Sequence, residues 1–162
     1  MRLTEIRERE RLRYMKIGIL SDTHGLLRPE IVEVLRTCDA IIHGGDINKK
    51  SIMEQLKEMA PLYIVRGNND KEWAEGMAEQ LDFWLAGVHF FLIHSKKEIP
   101  QPVPEADVIV FGHSHKYFQE MKDGRLWLNP GSCGPGRFGL PVTMAVMTVT
   151  EGEIGVEKVI LI

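Results

Sequence analysis

The sequence predicts one α/β domain, and three features of the chain favour this fold class. Residues 16–65 alternate short apolar runs with amphipathic stretches, which is the order of parallel strands joined by helices. The last third of the chain contains turn signals that are typical of antiparallel hairpins. The length of 162 residues fits one domain, because single domains usually have roughly 100 to 200 residues.

Two strand-helix units and a third strand open the predicted domain. Pro29 begins the first helical pattern, in which Ile31, Val34 and Leu35 recur at the spacing of an amphipathic helix. Strands that alternate with helices in this way imply right-handed parallel crossovers. The predicted elements of this half are strands at 16–22, 40–42 and 62–65 and helices at 30–36 and 51–59.

The second half of the chain is predicted to consist mainly of strands. Two apolar runs are joined by a short connection that contains proline, and we expect both to lie inside the sheet. Asp123 with Gly124, and Glu151 with Gly152, mark two hairpin turns. The predicted strands are 88–93, 108–111, 117–121, 126–128, 143–149 and 154–162.

The composition is that of an ordinary globular protein, with 44% hydrophobic and 27% charged residues. A net charge of −3 provides no broad positive field, so nucleic acid and anionic membranes are not expected partners. No apolar run reaches the roughly 18 residues of a membrane helix, and the N-terminus lacks the apolar stretch of a signal peptide. Two cysteines give no disulfide framework. We therefore expect a cytoplasmic protein.

The first 14 residues are dense in arginine and glutamate. We expect residues 1–14 to form a charged extension that is disordered or precedes the native start, for which Met15 is the candidate. A partner-binding arm is the alternative. The folded domain is predicted to span residues 15–162.

Polar side chains of the kind that bind metals follow directly after five predicted strands. Side chains at the carboxyl ends of strands converge on one crevice in an open α/β sheet. Carboxylate, imidazole and amide groups together suit divalent first-row metals, and seven such groups exceed the needs of one ion with open positions. We therefore predict two metals that share a bridging carboxylate, with Asp46 as the bridge. The seven residues are Asp22, His24, Asp46, Asn68, His94, His113 and His115.

Four short motifs carry a family resemblance: SDTHG at 21–25, GGD at 44–46, GNND at 67–70 and GHSH at 112–115. With these motifs in this order, and NPGS at 129–132, residues 15–162 resemble the calcineurin-like metallophosphoesterases. The likeness is greatest to their small, single-domain prokaryotic phosphodiesterase branch. It implies a four-layer sandwich of two mixed sheets flanked by helices.

The resemblance also implies how the seven residues divide between two metals. Asp22, His24 and His115 would hold one metal, and Asn68, His94 and His113 would hold the other, with Asp46 between them. We predict Asp46, Asn68 and His94 as the catalytic residues. The expected cofactor is a pair of divalent ions, with Mn²⁺ as the first candidate and Ni²⁺, Fe²⁺, Co²⁺ and Zn²⁺ as alternatives.

Two positions depart from the family pattern. Asn69 stands where many members have a histidine that protonates the leaving group, and an amide cannot supply that proton. A missing general acid costs about 10²- to 10⁴-fold in rate, so the chemistry is expected to depend on the metals and on good leaving groups. Ser95 and Lys96 follow His94 in a shortened segment, and Lys96 is either a phosphate-binding residue or a solvated lysine. Arg137 is a weaker candidate for a phosphate clamp.

The remaining distinctive side chains have ordinary structural explanations. His43 and His89 are expected to be structural, with His43 as a candidate neighbour of the ligands. Cys133 is assigned no role. The aromatic residues are expected to fill the core or a dimer contact, and they are Trp73, Phe83, Trp84 and Trp127.

The sequence therefore predicts a divalent-metal-dependent phosphoesterase that hydrolyses small phosphodiesters by attack of a metal-bridging hydroxide. A homodimer is compatible with this prediction. The first alternative is a non-catalytic, protein-binding scaffold with the same fold. The second is a nuclease, which the acidic balance of the chain disfavours.

Overall fold

The computed structural model describes residue 2 and residues 14–161. The charged extension expected at 1–14 therefore lies almost entirely outside the described residues. The described chain forms two five-stranded mixed sheets packed face to face, as the sequence predicts. None of its helices has both the length and the apolar character needed to cross a membrane.

The first sheet contains the strand-helix units at the start of the chain. Its strand order is β10-β9-β1-β2-β3, in which β1, β2 and β3 are parallel and β9 is antiparallel to both of its neighbours. Helix α1 (Pro29–Leu35) follows β1, and helix α2 (Lys50–Met59) follows β2. The strands are β1 (Tyr14–Leu20), β2 (Ala40–His43), β3 (Leu62–Ile64), β9 (Val142–Thr150) and β10 (Glu153–Leu161).

The second sheet has the strand order β4-β5-β6-β8-β7. Its three inner strands are parallel, and both edge strands are antiparallel to their neighbours. The strands are β4 (Gln80–Leu85), β5 (Val88–Ile93), β6 (Val108–Val110), β7 (Tyr117–Lys122) and β8 (Arg125–Pro130).

The largest hydrophobic core lies between the two sheets. Ile17 and Ile19 of β1 face Phe90 and Leu92 of β5 across this space, and all four are fully buried. Alternate residues point to opposite faces of a strand, so Leu20 faces the helices instead. Burying side chains of this size stabilises a fold by about 1.5 to 3 kcal/mol each.

The two outer faces of the sandwich are covered differently. Ile31 and Leu35 of α1, with Ile52 and Leu56 of α2, pack against the first sheet. On the second sheet, the cover is the 95–106 segment, which contains one 3-10 turn at Lys96–Glu98 and packs Ile99 against the aromatic residues of the sheet. The helices therefore flank the first sheet, and a loop flanks the second.

Strand β4 is the element that the sequence analysis missed. It pairs antiparallel to β5 through a tight turn at Ala86 and Gly87, whose φ angles of 50° and 79° are those of a type I′ hairpin. Alanine and glycine together are a weak hairpin signal. The strand lies at an edge of the sheet and leaves Trp84 63% exposed.

Candidate metal centre

The predicted ligands follow strands of both sheets, and the structure gathers them at one edge of the sandwich. Two groups of three side chains each have ligand atoms within 4.8 Å of one another. Group 1 comprises Asp22, His24 and His115, and group 2 comprises Asp46, His94 and His113.

Group 1 has the spacing of ligands around a single ion. The Nε2 atoms of His24 and His115 lie 3.6 and 3.4 Å from Asp22 Oδ1, and they lie 3.2 Å from each other. Two ligand atoms that are each about 2.1 Å from an ion in tetrahedral geometry are separated by about 3.4 Å. The three separations therefore leave room for one first-row metal at their centre.

Group 2 has similar spacing, and one of its members also approaches group 1. Asp46 Oδ2 lies 3.3 Å from His94 Nε2 and 3.8 Å from His24 Nε2. Asn68, the seventh predicted ligand, has its Oδ1 atom 3.2 Å from His113 Nδ1. One carboxylate oxygen thus faces imidazoles of both groups, which is the position required of a bridging ligand.

His94 presents a defined nitrogen to Asp46. Its Nδ1 atom lies 2.7 Å from the carbonyl oxygen of Gly44, and a carbonyl only accepts hydrogen bonds. A proton is therefore on Nδ1, and in the neutral ring the lone pair of Nε2 is directed toward the site. Metal-binding histidines commonly donate their other N–H to a backbone carbonyl in this way.

The donor set and its unpaired atoms fit a divalent ion. In the described part of the chain, three buried side-chain polar atoms have no hydrogen-bond partner, and all three belong to predicted ligands: Asp22 Oδ1, His94 Nε2 and His115 Nδ1. Leaving a buried polar atom unpaired costs roughly 1 to 3 kcal/mol. Ions in the two groups would satisfy Asp22 Oδ1 and His94 Nε2.

The backbone is left-handed at five of the seven predicted ligands. Asparagine, aspartate and histidine adopt this conformation more readily than other residues that carry a side chain. A left-handed residue turns the chain sharply after a strand, which is compatible with the close approach of these side chains. The φ angles are 56° at Asp22, 44° at His24, 58° at Asp46, 73° at His113 and 64° at His115.

Two glycines let the loops of the two sheets approach each other closely. A Cβ atom at Gly67 would overlap the Asp46 carboxylate and its backbone nitrogen. A Cβ atom at Gly112 would overlap Ser21 Oγ and would lie 2.7 Å from Asp22 Oδ2. Both positions therefore require glycine for steric reasons.

Asp70 is a site residue that the sequence analysis did not single out. Its buried carboxylate accepts backbone hydrogen bonds of 2.8 to 2.9 Å from Asp46, Ile47, Asn48 and Gly67. These bonds join the loop after β2 to the loop after β3. The GNND motif contains Asp70, but only the fold reveals that three of its four partners are amides 22 to 24 residues earlier in the chain.

Asn69, which replaces the expected acid, binds the predicted bridging carboxylate. Its backbone N–H donates to Asp46 Oδ1 at 2.8 Å, and its side-chain amide donates to Asp46 Oδ2 at 3.1 Å. Asn69 therefore orients Asp46 and offers no acidic proton to a leaving group.

His43 is fully buried behind the ligands. The backbone N–H of Gly45 donates to its Nδ1 atom at 3.0 Å, so Nε2 carries the proton and donates to Thr23 Oγ1 at 3.1 Å. Burial lowers the pKa of His43 to about 4, which keeps the ring neutral. The ring thus joins the loops that carry His24 and Asp46.

The electrostatics of the site favour charged aspartates. Burial opposes ionisation of Asp22, but contacts with His115 and His24 outweigh it, and the pKa of Asp22 lies well below its usual range. Burial also opposes ionisation of Asp46, yet His94 and the Asn69 N–H lower its pKa. For His94, burial favours the neutral ring, but Asp46 and Asp22 raise the pKa above its ordinary value. Two negative charges therefore face the space between the groups.

A cavity of about 700 Å³ opens beside group 2. His94, His113 and Asn68 form one side of it, and Arg66 and Lys97 add positive charge. A pocket of this size suits a small organic ligand. The cavity therefore provides space for a substrate next to the predicted metals.

Other residues raised by the sequence lie outside the two groups. Lys96 extends over three aromatic rings on the outer face of the second sheet, and His89 contacts Asp82 and stacks on Trp84. Arg137 lies in an exposed loop. Of the aromatic residues, Trp73, Phe83 and Trp127 pack in the hydrophobic clusters, whereas Trp84 is exposed.

The fold and the two side-chain groups define a two-sheet α/β protein with a candidate binuclear metal centre. Residues 15–152 match the model of the calcineurin-like phosphoesterase superfamily domain, and the chain belongs to that superfamily.

Relatives and solved structures agree with this family. A phosphodiesterase of Methanocaldococcus jannaschii is 30% identical over 161 residues, which cover 86% of this chain and 96% of the relative. The structure of a novel archaeal phosphodiesterase is similar with a TM-score of 0.77 and 25% identity, and the match covers 91% of this chain and all of that chain. Vacuolar protein sorting 29 from Cryptosporidium parvum has the same fold, with a TM-score of 0.74 and 20% identity over 91% of this chain and 98% of its own.

Proposed function

We propose that this protein hydrolyses small phosphodiesters with the help of two divalent metal ions, Mn²⁺ being the first candidate. Group 1 would hold one ion and group 2, with Asn68, would hold the other. The observation that carries the proposal is the position of Asp46, whose Oδ2 atom lies 3.3 and 3.8 Å from imidazoles of the two groups. When bound, two such ions would activate water for attack on phosphorus and neutralise charge on the phosphoryl oxygens.

The residues of the chain have distinct parts in this proposal. Asp46 lies between the two groups and faces a histidine of each. Asn69 orients its carboxylate. His94 is held by Gly44 with its lone pair toward the site. The amide nitrogen of Asn68 is available to donate to a phosphoryl oxygen, because its Oδ1 faces His113.

The leaving group would depart without an acid at position 69. The proposal therefore requires substrates whose leaving groups are stable as anions, such as nitrophenolate. Activity should fall steeply when the leaving group becomes a simple alkoxide.

Turnover of bis(4-nitrophenyl) phosphate by the purified protein tests the proposal. We expect hydrolysis with added Mn²⁺, its loss in EDTA, and a loss of at least about 10²-fold in Asp46→Asn. Asp82→Asn is the matched control, because Asp82 contacts His89 outside the site, and it should retain activity. Absence of turnover with every one of Mn²⁺, Ni²⁺, Co²⁺, Fe²⁺ and Zn²⁺ would contradict the proposal.

The scaffold alternative is supported by likeness of fold alone, since the sorting protein shares 20% identity with this chain. The gathering of all seven predicted ligands favours the enzyme. A scaffold would bind its partner equally well after His94→Gln, whereas the enzyme would lose turnover.

A further inference from the structure

A second cavity of about 620 Å³ lies beside the first. The two cavities share Ser95, Lys97 and His113 in their walls, so they meet at a predicted metal ligand. A group bound in the second cavity would therefore lie close enough to belong to the same molecule as a phosphate at the metal centre.

The second cavity differs from the first in its surface. Its floor is apolar, because Phe111, Tyr117 and Phe118 line it. Concave, mostly apolar surfaces with a few polar groups are typical of small-molecule sites. The floor suits an uncharged ring or hydrocarbon group.

The charged residues around this floor have one sign. Three lysines line the second cavity, at 96, 97 and 116, and among the described residues no carboxylate does. In the first cavity, by contrast, Glu79 and Glu98 offset Arg66 and Lys97. The second cavity therefore complements an anion that carries an apolar group.

Lys96 lies over three aromatic rings here, of which Phe118 is half-buried and Phe111 and Trp127 are buried. Its ammonium lies 5.1 Å from the ring centre of Phe118 and 5.7 Å from those of Phe111 and Trp127. A cation over the face of a ring is held by the ring quadrupole. Phe118 is therefore the ring in this cavity whose face would take a flat group in place of the ammonium.

We propose that the second cavity binds an aromatic ester group of the phosphodiester substrate, which makes Phe118 a specificity-determining residue. This inference rests on the proposed function, since it places the phosphate of the same molecule at the metal centre. The chemical class is an aryl or heteroaryl ester of phosphate.

Binding of two phosphonates that the protein cannot hydrolyse tests this inference. Phenylphosphonate and methylphosphonate share the anionic group and differ in the ring. With Zn²⁺-loaded protein, titration calorimetry should show phenylphosphonate binding about 10-fold more tightly, because a stacked ring adds this much. In NMR spectra, the amides of residues 95–97 and 114–118 should shift with phenylphosphonate and much less with methylphosphonate.

Phe118→Leu and Phe138→Leu form a matched pair of variants. Leucine keeps apolar volume at 118, so the fold is retained while the ring face is lost. We expect Phe118→Leu to lower the preference for phenylphosphonate about 5-fold. Phe138 is an 83% exposed ring near His115, on another side of the site, and its variant should keep the preference.

The outcomes separate this inference from the proposed function. Equal affinity for the two phosphonates, or a loss of preference in Phe138→Leu alone, would overturn the cavity assignment and leave the metal centre standing. Failure of both phosphonates to bind the metal-loaded protein would contradict the proposed function as well.

Discussion

Single residues that are not predicted ligands hold the loops of the site, and Asp70 is the clearest case. Each of its carboxylate oxygens accepts two backbone hydrogen bonds, Oδ1 from Ile47 and Asn48 and Oδ2 from Asp46 and Gly67. Hydrogen bonds to a charged group are stronger than neutral ones. The position of the predicted bridging ligand therefore depends on this buried charge.

Asp70→Asn should destabilise the protein by about 3 kcal/mol, because either orientation of the amide sets an NH₂ group against two N–H donors. Metal affinity should fall about 10- to 100-fold. Urea unfolding and metal titration measure the two effects. Asp39→Asn is the control, since Asp39 accepts a backbone hydrogen bond from Lys16 at an exposed position; equal losses in both variants would refute the role of Asp70.

Cys133 predicts a dependence of stability on alkaline pH. Burial and the nearby Asp22 raise the pKa of its thiol from 9.0 to about 12. Between these values the folded state keeps a proton that the unfolded chain loses, so stability falls as pH rises.

From pH 9 to pH 11 this thiol should account for a loss of up to about 3 kcal/mol in the free energy of unfolding. Cys133→Ala should remove that part of the slope in urea unfolding with EDTA present. Cys38→Ala is the comparison variant, because burial also raises the pKa of the Cys38 thiol. It should keep the part of the slope that belongs to Cys133. An unchanged slope in Cys133→Ala would count against the assignment.

At the scale of elements, the loops after the strands determine the positions of the candidate ligands. Gly67→Ala should reduce stability by more than about 2 kcal/mol and abolish tight metal binding, because the added methyl group overlaps Asp46. Gly76→Ala is the control, since a Cβ atom there meets nothing within 4 Å. Thermal unfolding and calorimetric metal titration measure the stability and metal affinity of both variants. Similar losses in Gly67→Ala and Gly76→Ala would contradict the prediction.

The sequence predicts elements well where the signal is local. Apolar runs that end in aspartate or histidine identify β1, β2, β5 and β6, and the seven side chains after the strands do meet. Strand β4 was missed because the exposed Trp84 breaks its alternation of polar and apolar residues and because its turn lacks asparagine or aspartate. The role of Asp70 was missed because three of its four partners are distant in sequence, and the pairing of loops is a property of the folded chain.

At the scale of the whole molecule, each candidate metal group draws on both sheets. Group 1 takes Asp22 and His24 from the first sheet and His115 from the second, whereas group 2 takes Asp46 from the first sheet and two histidines from the second. An ion in either group would therefore join the two halves of the sandwich.

Metal binding should consequently stabilise the entire fold. A ligand at 100 times its dissociation constant stabilises the folded state by about 2.7 kcal/mol for one site. We expect Mn²⁺ to raise the unfolding midpoint and EDTA to reverse the increase, with one cooperative transition throughout. In His94→Gln, Mn²⁺ should raise the unfolding midpoint less than in the original protein. An unfolding midpoint that does not change with Mn²⁺ would argue against an ion between the sheets.

The left-handed backbone at His24, His113 and His115 has a practical consequence. Asparagine accepts this torsion more readily than most residues that carry a side chain, whereas valine or isoleucine would strain it. Exchanging these imidazoles for asparagine replaces their ring nitrogens with weaker amide oxygens and leaves the backbone torsion unstrained. The inactive variant with asparagine at these three positions would keep its loops in place and could bind an intact diester for crystallography.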